Sequence, residues 1–336
     1  MKTESTTPAL ARALVWPDAP NIRAHIAICR FDHWVKNIFV LPGIVAALAL
    51  NKIPIHFSLL GYVILGLFAI GLVASSNYVL NEVLDAPFDL MHPIKRNRPV
   101  PSGQVHIPLA YAQWIGIGTL GIVLAHYVSP AFMWTLTALW IMGCIYNIPP
   151  LRSKDVPYVD VLTEAINNPL RMLAGWFLVS QNTLPPASLL LSYWMVGCYF
   201  MALKRYSELL RLIANKNAHV YRKSLGYFRP EGLLVTVMFY AAASMLFFGS
   251  FIMRYRMELV LSFPLIAWVM ATYLSIAFKR DGAAENPEKL YREKRLMFAV
   301  TVCTAAIVVL LFVDIPALPQ VFAPTAPVEY TSGVTR

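Results

Sequence analysis

Charge is scarce in this chain. Of its 336 residues only 14% are Asp, Glu, Lys or Arg while 58% are hydrophobic, whereas a water-soluble domain carries roughly 25% charge. That deficit excludes a soluble enzyme and a disordered chain. Cysteine is sparse as well: Cys29, Cys144, Cys198 and Cys303 lie far apart, so neither a metal-ligand spacing nor a disulfide framework emerges. His56, His126 and His219 are isolated, and none stands at ligand spacing from another. No apolar run precedes Arg23, so a cleavable signal peptide is not expected. Residues 1–22 and 316–336, rich in Pro and Thr, read as flexible tails around a domain at 23–315. Short alternating strands are missing, which excludes an outer-membrane barrel.

What the chain has instead is long apolar blocks, and its mean hydropathy is +0.57. About 20 apolar residues carry a helix across the hydrocarbon. Blocks near 36–51, 57–84, 107–127, 130–148, 157–180, 185–203, 233–253, 258–278 and 296–314 predict an all-α, polytopic membrane protein of nine transmembrane helices. The net charge of +10 is sorted by side: 23 of the 28 Lys and Arg fall on the N-terminal side of that alternation, four on the other, and Arg171 lies inside a span. Positive-inside sorting places the N-terminus in the cytoplasm and the protein in the inner membrane, and the basic excess then needs no nucleic-acid partner.

The second span runs into Asn81, Asp85 and Asp89, spaced i, i+4 and i+8 along one helix face. Stacked carboxylates repel unless a cation lies between them, and Mg²⁺ suits a few carboxylates plus substrate phosphate oxygens. His92, Lys95, Arg96 and Arg98 follow directly. Such cations beside a metal-binding face would hold a diphosphate from two sides. The alternatives are a solvated helix end and an anchoring basic loop.

A second polar set occupies later spans. Lys154 precedes Asp160, Glu164 and Arg171, which share a face, with Asn167, Asn168 and Pro169 between them. Ionisable residues in a span line a site or pair with one another, so a Glu164–Arg171 ion pair is the structural alternative. Pro169 should kink this helix. The sixth span ends in Lys204, Arg205, Tyr206 and Glu208, where Lys204 and Glu208 are spaced for a surface ion pair. Trp34 and Lys36 read as an interfacial anchor.

The Asn81-x3-Asp85-x3-Asp89 pattern, the later acidic pair and nine helices together resemble the UbiA superfamily of intramembrane prenyltransferases. WVKN at Trp34–Asn37, LNEVLDAPFDLMHPIKRNRP at Leu80–Pro99, KRYSEL at Lys204–Leu209 and RKSL at Arg222–Leu225 look more narrowly like the polyprenyl-phosphate phosphoribosyltransferase branch. Glu82 stands where the superfamily motif has Asp, and Asn167, Asn168 and Pro169 depart from the branch pattern.

The resemblance implies Mg²⁺ held by Asn81, Asp85, Asp89 and Asp160, with Asp85, Asp89 and Asp160 as the catalytic carboxylates. It implies Lys36, Lys95, Arg98, Lys154, Glu164, Lys204, Arg205 and Tyr206 around the substrates. These would be phosphoribosyl diphosphate and a membrane-embedded polyprenyl phosphate. One rival reading is transfer of a prenyl group from its diphosphate to an aromatic or quinone-precursor acceptor. The other, from a different class, is an ion-coupled transporter.

Overall fold

The computed structural model describes residues 20–90, 94–214, 223–279 and 287–322. Of the tails expected at 1–22 and 316–336, residues 1–19 and 323–336 lie outside the described residues, as do His92, His219 and Arg222. Those described form helices: α1 (Ile22–Ala27), a 3-10 segment (Phe31–Val40) continuing into α2 (Leu41–Asn51), α3 (Phe57–Asp89), α4 (Ile107–His126), α5 (Pro130–Asn147), α6 (Val159–Ala165), α7 (Asn167–Val179), α8 (Ala187–Ala214), α9 (Pro230–Tyr255), a second 3-10 segment (Met257–Ser262) leading into α10 (Phe263–Ala277), α11 (Lys294–Phe312) and the short α12 (Ala317–Val321). Counting the first 3-10 segment with α2, α6 with α7, and the second with α10, and setting aside the short α1 and α12, these make nine rods among the described residues, as the apolar blocks predict.

Seven of the rods are long and apolar enough to cross a membrane by themselves. The others are α5 and the broken α6–α7 rod, which carries Asp160, Glu164, Asn167, Asn168 and Arg171. Large apolar side chains face outward along the bundle, among them Val235, Phe239, Leu246, Phe298 and Val309. An apolar belt of this kind is stable only against lipid. The protein is therefore an integral membrane protein.

Two helices outrun the spans read from hydropathy. α3 is 33 residues long, about 50 Å at the α-helical rise, so it projects past a hydrocarbon core of about 30 Å. Its final turns carry Asn81, Asp85 and Asp89. α8 runs 28 residues to Ala214, and its extension carries Lys204, Arg205 and Glu208.

The α6–α7 rod breaks at Ile166. Pro169 has no N–H for the Ala165 carbonyl and its ring crowds that carbonyl, which ends the first helix one turn earlier. Asn167 Nδ2 donates to the Glu164 carbonyl at 3.0 Å across the break. One core packs α2, α3, α5 and α7 through Val40, Ile44, Ile70, Phe132, Leu136 and Trp176. A second packs α6, α8, α9 and α10 through Val161, Tyr199, Leu203, Val237 and Tyr273. Where α2 crosses α7, a Cβ on Gly43 would fall on the Met172 carbonyl, so glycine lets the two backbones approach.

Candidate active site

Asn81, Asp85 and Asp89 occupy one face at the end of α3, as their spacing requires. Asp85 is the hub: its Oδ1 lies 2.5 Å from Lys154 Nζ and 2.9 Å from Arg152 Nη2, and Oδ2 accepts from Asn81 Nδ2 at 3.1 Å. Asn147, at the end of α5, ties this set together. Its Oδ1 accepts from Asn81 at 2.7 Å and from Lys154 at 2.6 Å. One turn further along α3, Asp89 is held by Arg98 at 2.6 Å.

Arg152 has the backbone of an over-determined residue, with φ of 24°. Its guanidinium reaches Asp85, Asp155 and the Leu84 and Asn147 carbonyls, and stacks 4.9 Å from the Phe88 ring. Positive φ outside glycine persists only where surrounding contacts impose it. The side chains of Arg98 and Asp85 remain 27% and 21% exposed while Asp89 and Lys154 are buried, so this cluster opens to a ligand along one edge.

Asp160, Glu164 and Glu208 form the second acidic cluster, gathered on one guanidinium. Arg205 Nε lies 2.8 Å from Asp160, Nη2 2.5 Å from Glu164 and Nη1 3.1 Å from Glu208. Ser224 Oγ adds a bond to Asp160 at 3.3 Å. Arg205 is 1% exposed and Asp160 0%. Glu164, at 25%, is the edge that opens, where Lys204 lies 4.0 Å away. Tyr146 joins the clusters: its hydroxyl donates to Glu164 at 2.8 Å while its ring lies 5.7 Å beneath Lys154 Nζ.

Several expectations change on this geometry. Asp160, expected at the metal, is sealed beneath Arg205. Arg205, expected on a substrate phosphate, is saturated by carboxylates because α8 turns it into the protein. Tyr206 packs in an apolar cluster with Leu209, Leu225 and Phe228 and edge-on to Phe278. Glu208 serves Arg205 as a buried partner instead of forming a surface pair. Glu164 pairs with Arg205, not with Arg171. Trp34 is turned onto α3, its ring against Gly71 and its Nε1 donating to Ser75 at 2.9 Å, so it packs the bundle instead of anchoring it.

Glu82 faces away from the Asp85 set. It is buried, takes Arg30 at 2.7 Å and accepts the Val100 N–H at 3.3 Å. Its longer arm ties α3 to the chain before the first rod and to the loop after α3. Lys95 begins a 3-10 turn in the same loop as Arg98, and Lys36 Nζ sits 5.8 Å from the Tyr78 ring. Sequence reading missed Tyr146, Asn147 and Arg152. Arg152 counted only as a loop charge, and its place two residues before Lys154 was the available signal.

The donor set bears on a metal directly. Among the described residues no three His, Cys, Asp or Glu side chains gather as a self-sufficient metal cage. Two carboxylates one turn apart, Asp85 partly open and Asp89 buried, beside the side-chain amides of Asn81 and Asn147, suit an ion that takes one or two carboxylates and completes its shell from water and phosphate. The Asn81–Asp85–Asp89 face therefore has the donor chemistry that suits Mg²⁺, whereas Asp160 Oδ2 is taken by Arg205 and Ser224.

The described residues thus form an all-helical membrane bundle with two linked charge clusters, at Asp85 and at Arg205. The chain belongs to the UbiA prenyltransferase family, which it matches over residues 39–302. It is 28% identical over 234 residues to a decaprenyl-phosphate phosphoribosyltransferase of Mycobacterium tuberculosis, covering 69% of this chain and 75% of that one. A protein of the same name from Corynebacterium glutamicum is 29% identical over 221 residues, covering 62% and 60%. The fold is that of a UbiA homolog from Archaeoglobus fulgidus solved with GPP and Mg²⁺, with a TM-score of 0.63 at 18% identity over 84% of this chain and 99% of that one.

Proposed function

We propose that this protein transfers the 5-phosphoribosyl group of phosphoribosyl diphosphate to a polyprenyl phosphate in the inner membrane, with its N-terminus and active site on the cytoplasmic side. The observation that carries this reading is the open cluster in which Arg98, Arg152 and Lys154 cover Asp85 and Asp89. These cations also match the donor chemistry, because phosphates accept from Lys and Arg as carboxylates do. Relatives named decaprenyl-phosphate phosphoribosyltransferase support the same assignment.

Mg²⁺, bound by Asp85 and Asp89 with Asn81 beside them, would supply charge neutralisation to the leaving diphosphate. Arg152 and Lys154, held at Asp85 by Asn147 and Tyr146, are positioned to share their N–H groups with diphosphate oxygens. Arg98 and Lys95 do so from the loop after α3. Glu164 and Lys204 border the opposite wall.

In the reaction an oxygen of the lipid phosphate attacks the anomeric carbon. The bond from that carbon to the diphosphate breaks, the configuration inverts, and diphosphate leaves with the bonding pair. The acceptor is already anionic at neutral pH, so no strong general base is needed. The protein's work is to orient two anions in line despite their repulsion.

The test is incubation of the purified protein with labelled phosphoribosyl diphosphate, polyprenyl phosphate and Mg²⁺. A labelled phosphoribosyl lipid identified by mass spectrometry is the expected product. Reaction only with a prenyl diphosphate and an aromatic acid, or ion flux without any transfer, overturns the reading.

A further inference from the structure

Arg171, on α7, forms no ion pair among the described residues, and its Nε is buried without a hydrogen-bond partner. An arginine within a membrane span needs a counter-charge or a water-filled cavity. Glu164, the carboxylate sharing its helix face, is committed to Arg205.

The surroundings of Arg171 resemble an anion site. Its helix packs on the segment that carries Lys36, where a Cβ on Gly175 would fall on the Val40 carbonyl, and Tyr193 on α8 donates its hydroxyl to the Phe39 carbonyl of that segment at 3.4 Å. Tyr78 on α3 and Tyr193 both lie within electrostatic reach of Arg171. Lys36 Nζ and the Arg30 guanidinium lie 5.8 and 6.0 Å from the Tyr78 ring centroid, and His33 meets that ring edge-on. Arg171, Tyr78, Tyr193 and Lys36 are all half-buried. Cations and phenol groups thus gather on this wall, where Glu82 holds Arg30 and Asp32 lies 3.6 Å from His33, while Arg171 has no carboxylate paired with it among the described residues.

Next to this wall, the 3-10 segment that carries Lys36 forms one side of an apolar groove of about 490 Å³, lined by Trp34, Ile38, Leu41, Ile64 and Phe68. Asn37 also lines the groove, with its Oδ1 buried and unbonded. Ile64 and Tyr78 are roughly 20 Å apart along α3 by the helical rise, and Ile38, Leu41, Ile64 and Phe68 are exposed, so the groove runs from the basic wall along the lipid-facing side of the bundle.

We propose that Arg171, together with Lys36 and the hydroxyls of Tyr78 and Tyr193, binds the phosphate of the polyprenyl phosphate acceptor, whose chain lies in the groove between the 3-10 segment and α3. This rests on the phosphoribosyl-transfer reading. It places the two anions on separate walls, the donor diphosphate at Asp85 and Asp89 and the acceptor phosphate at Arg171.

The experiment measures binding of farnesyl phosphate and of farnesol to the full-length protein in detergent, alongside KM for both substrates. Removing a charge-assisted contact in Arg171→Gln or Lys36→Gln should weaken farnesyl phosphate binding and raise the acceptor KM about tenfold or more. Farnesol binding and the KM for phosphoribosyl diphosphate should stay within about twofold of wild type, and Arg171→Lys should recover most of the loss. Unchanged farnesyl phosphate affinity overturns the proposal. So does a rise confined to the donor KM, which would assign Arg171 to the sugar phosphate.

Should wild-type protein not transfer phosphoribosyl at all, the functional reading falls while farnesyl phosphate binding still decides the anion site. If Arg171→Gln does not yield folded protein, Lys36→Gln and Tyr193→Phe carry the same comparison.

Discussion

Asp85 and Arg205 anchor two charge clusters made of the same residue types and joined through Tyr146, yet the clusters are built for different ends. At Asp85, Arg152 and Lys154 converge on a carboxylate whose side chain is 21% exposed. At Arg205, three carboxylates converge on a guanidinium that is 1% exposed. A buried ion set is costly to break and slow to admit a ligand. A half-open one can exchange carboxylate partners for phosphate oxygens at little net cost. The half-open arrangement at Asp85 suits substrate handling, and the sealed one at Arg205 suits holding α6 against α8.

Arg205→Met should have the largest effect. It leaves the buried Asp160 and Glu208 and the part-exposed Glu164 without their shared cation, a loss of about 3–5 kcal/mol, visible as a collapse in the yield of monodisperse protein and in its thermal midpoint. Arg205→Lys should recover only part, because one ammonium cannot reach all three oxygens with fixed fork geometry. If Arg205→Met instead kept its stability and lost substrate affinity, the division between the clusters would be wrong.

Asp85→Asn and Asp89→Asn should do the opposite, lowering turnover by about a hundredfold or more with little change in thermal midpoint. Equal destabilisation in Asp85→Asn and Arg205→Met would erase the contrast. Arg152→Gln and Lys154→Gln should raise the KM for the diphosphate donor by roughly tenfold each, read in steady-state assays over a range of donor concentration.

Glu82→Gln sharpens the contrast from a third place on α3. It removes the charge that meets Arg30 and should lower stability by about 1–3 kcal/mol while the variant keeps its Mg²⁺ requirement, checked by titrating the ion in the assay. The smallest effect belongs to Arg254→Gln. Arg254 is exposed at the end of α9 opposite the site, and both activity and thermal midpoint should match wild type.

Much of this was legible before any coordinates. Apolar block length predicts nine rods because crossing hydrocarbon sets a minimum run, and i, i+4, i+8 spacing puts Asn81, Asp85 and Asp89 on one face because helix geometry leaves no choice. The break before Pro169 was readable for the same reason, since a missing N–H acts locally. The partners were not readable. Asn147 looks like an ordinary polar residue at a helix end, and Arg152 like an ordinary loop charge, until α5 and its following loop are docked beside α3. Glu82 and Asp85 are three residues apart in one acidic run, and only the rotation of α3 sends one to Arg30 and the other to Lys154.

The amino-acid order alone determined that this chain lives in a membrane, how its helices are divided and which acidic residues share a helix face, because each follows from solvent transfer or from the pitch of a single helix. Tertiary structure alone decided which cation meets which carboxylate, and so which cluster stays open and which is sealed. Pairing between ionisable groups depends on how separate helices rotate against one another, and that rotation is set by the shapes of the whole packed bundle.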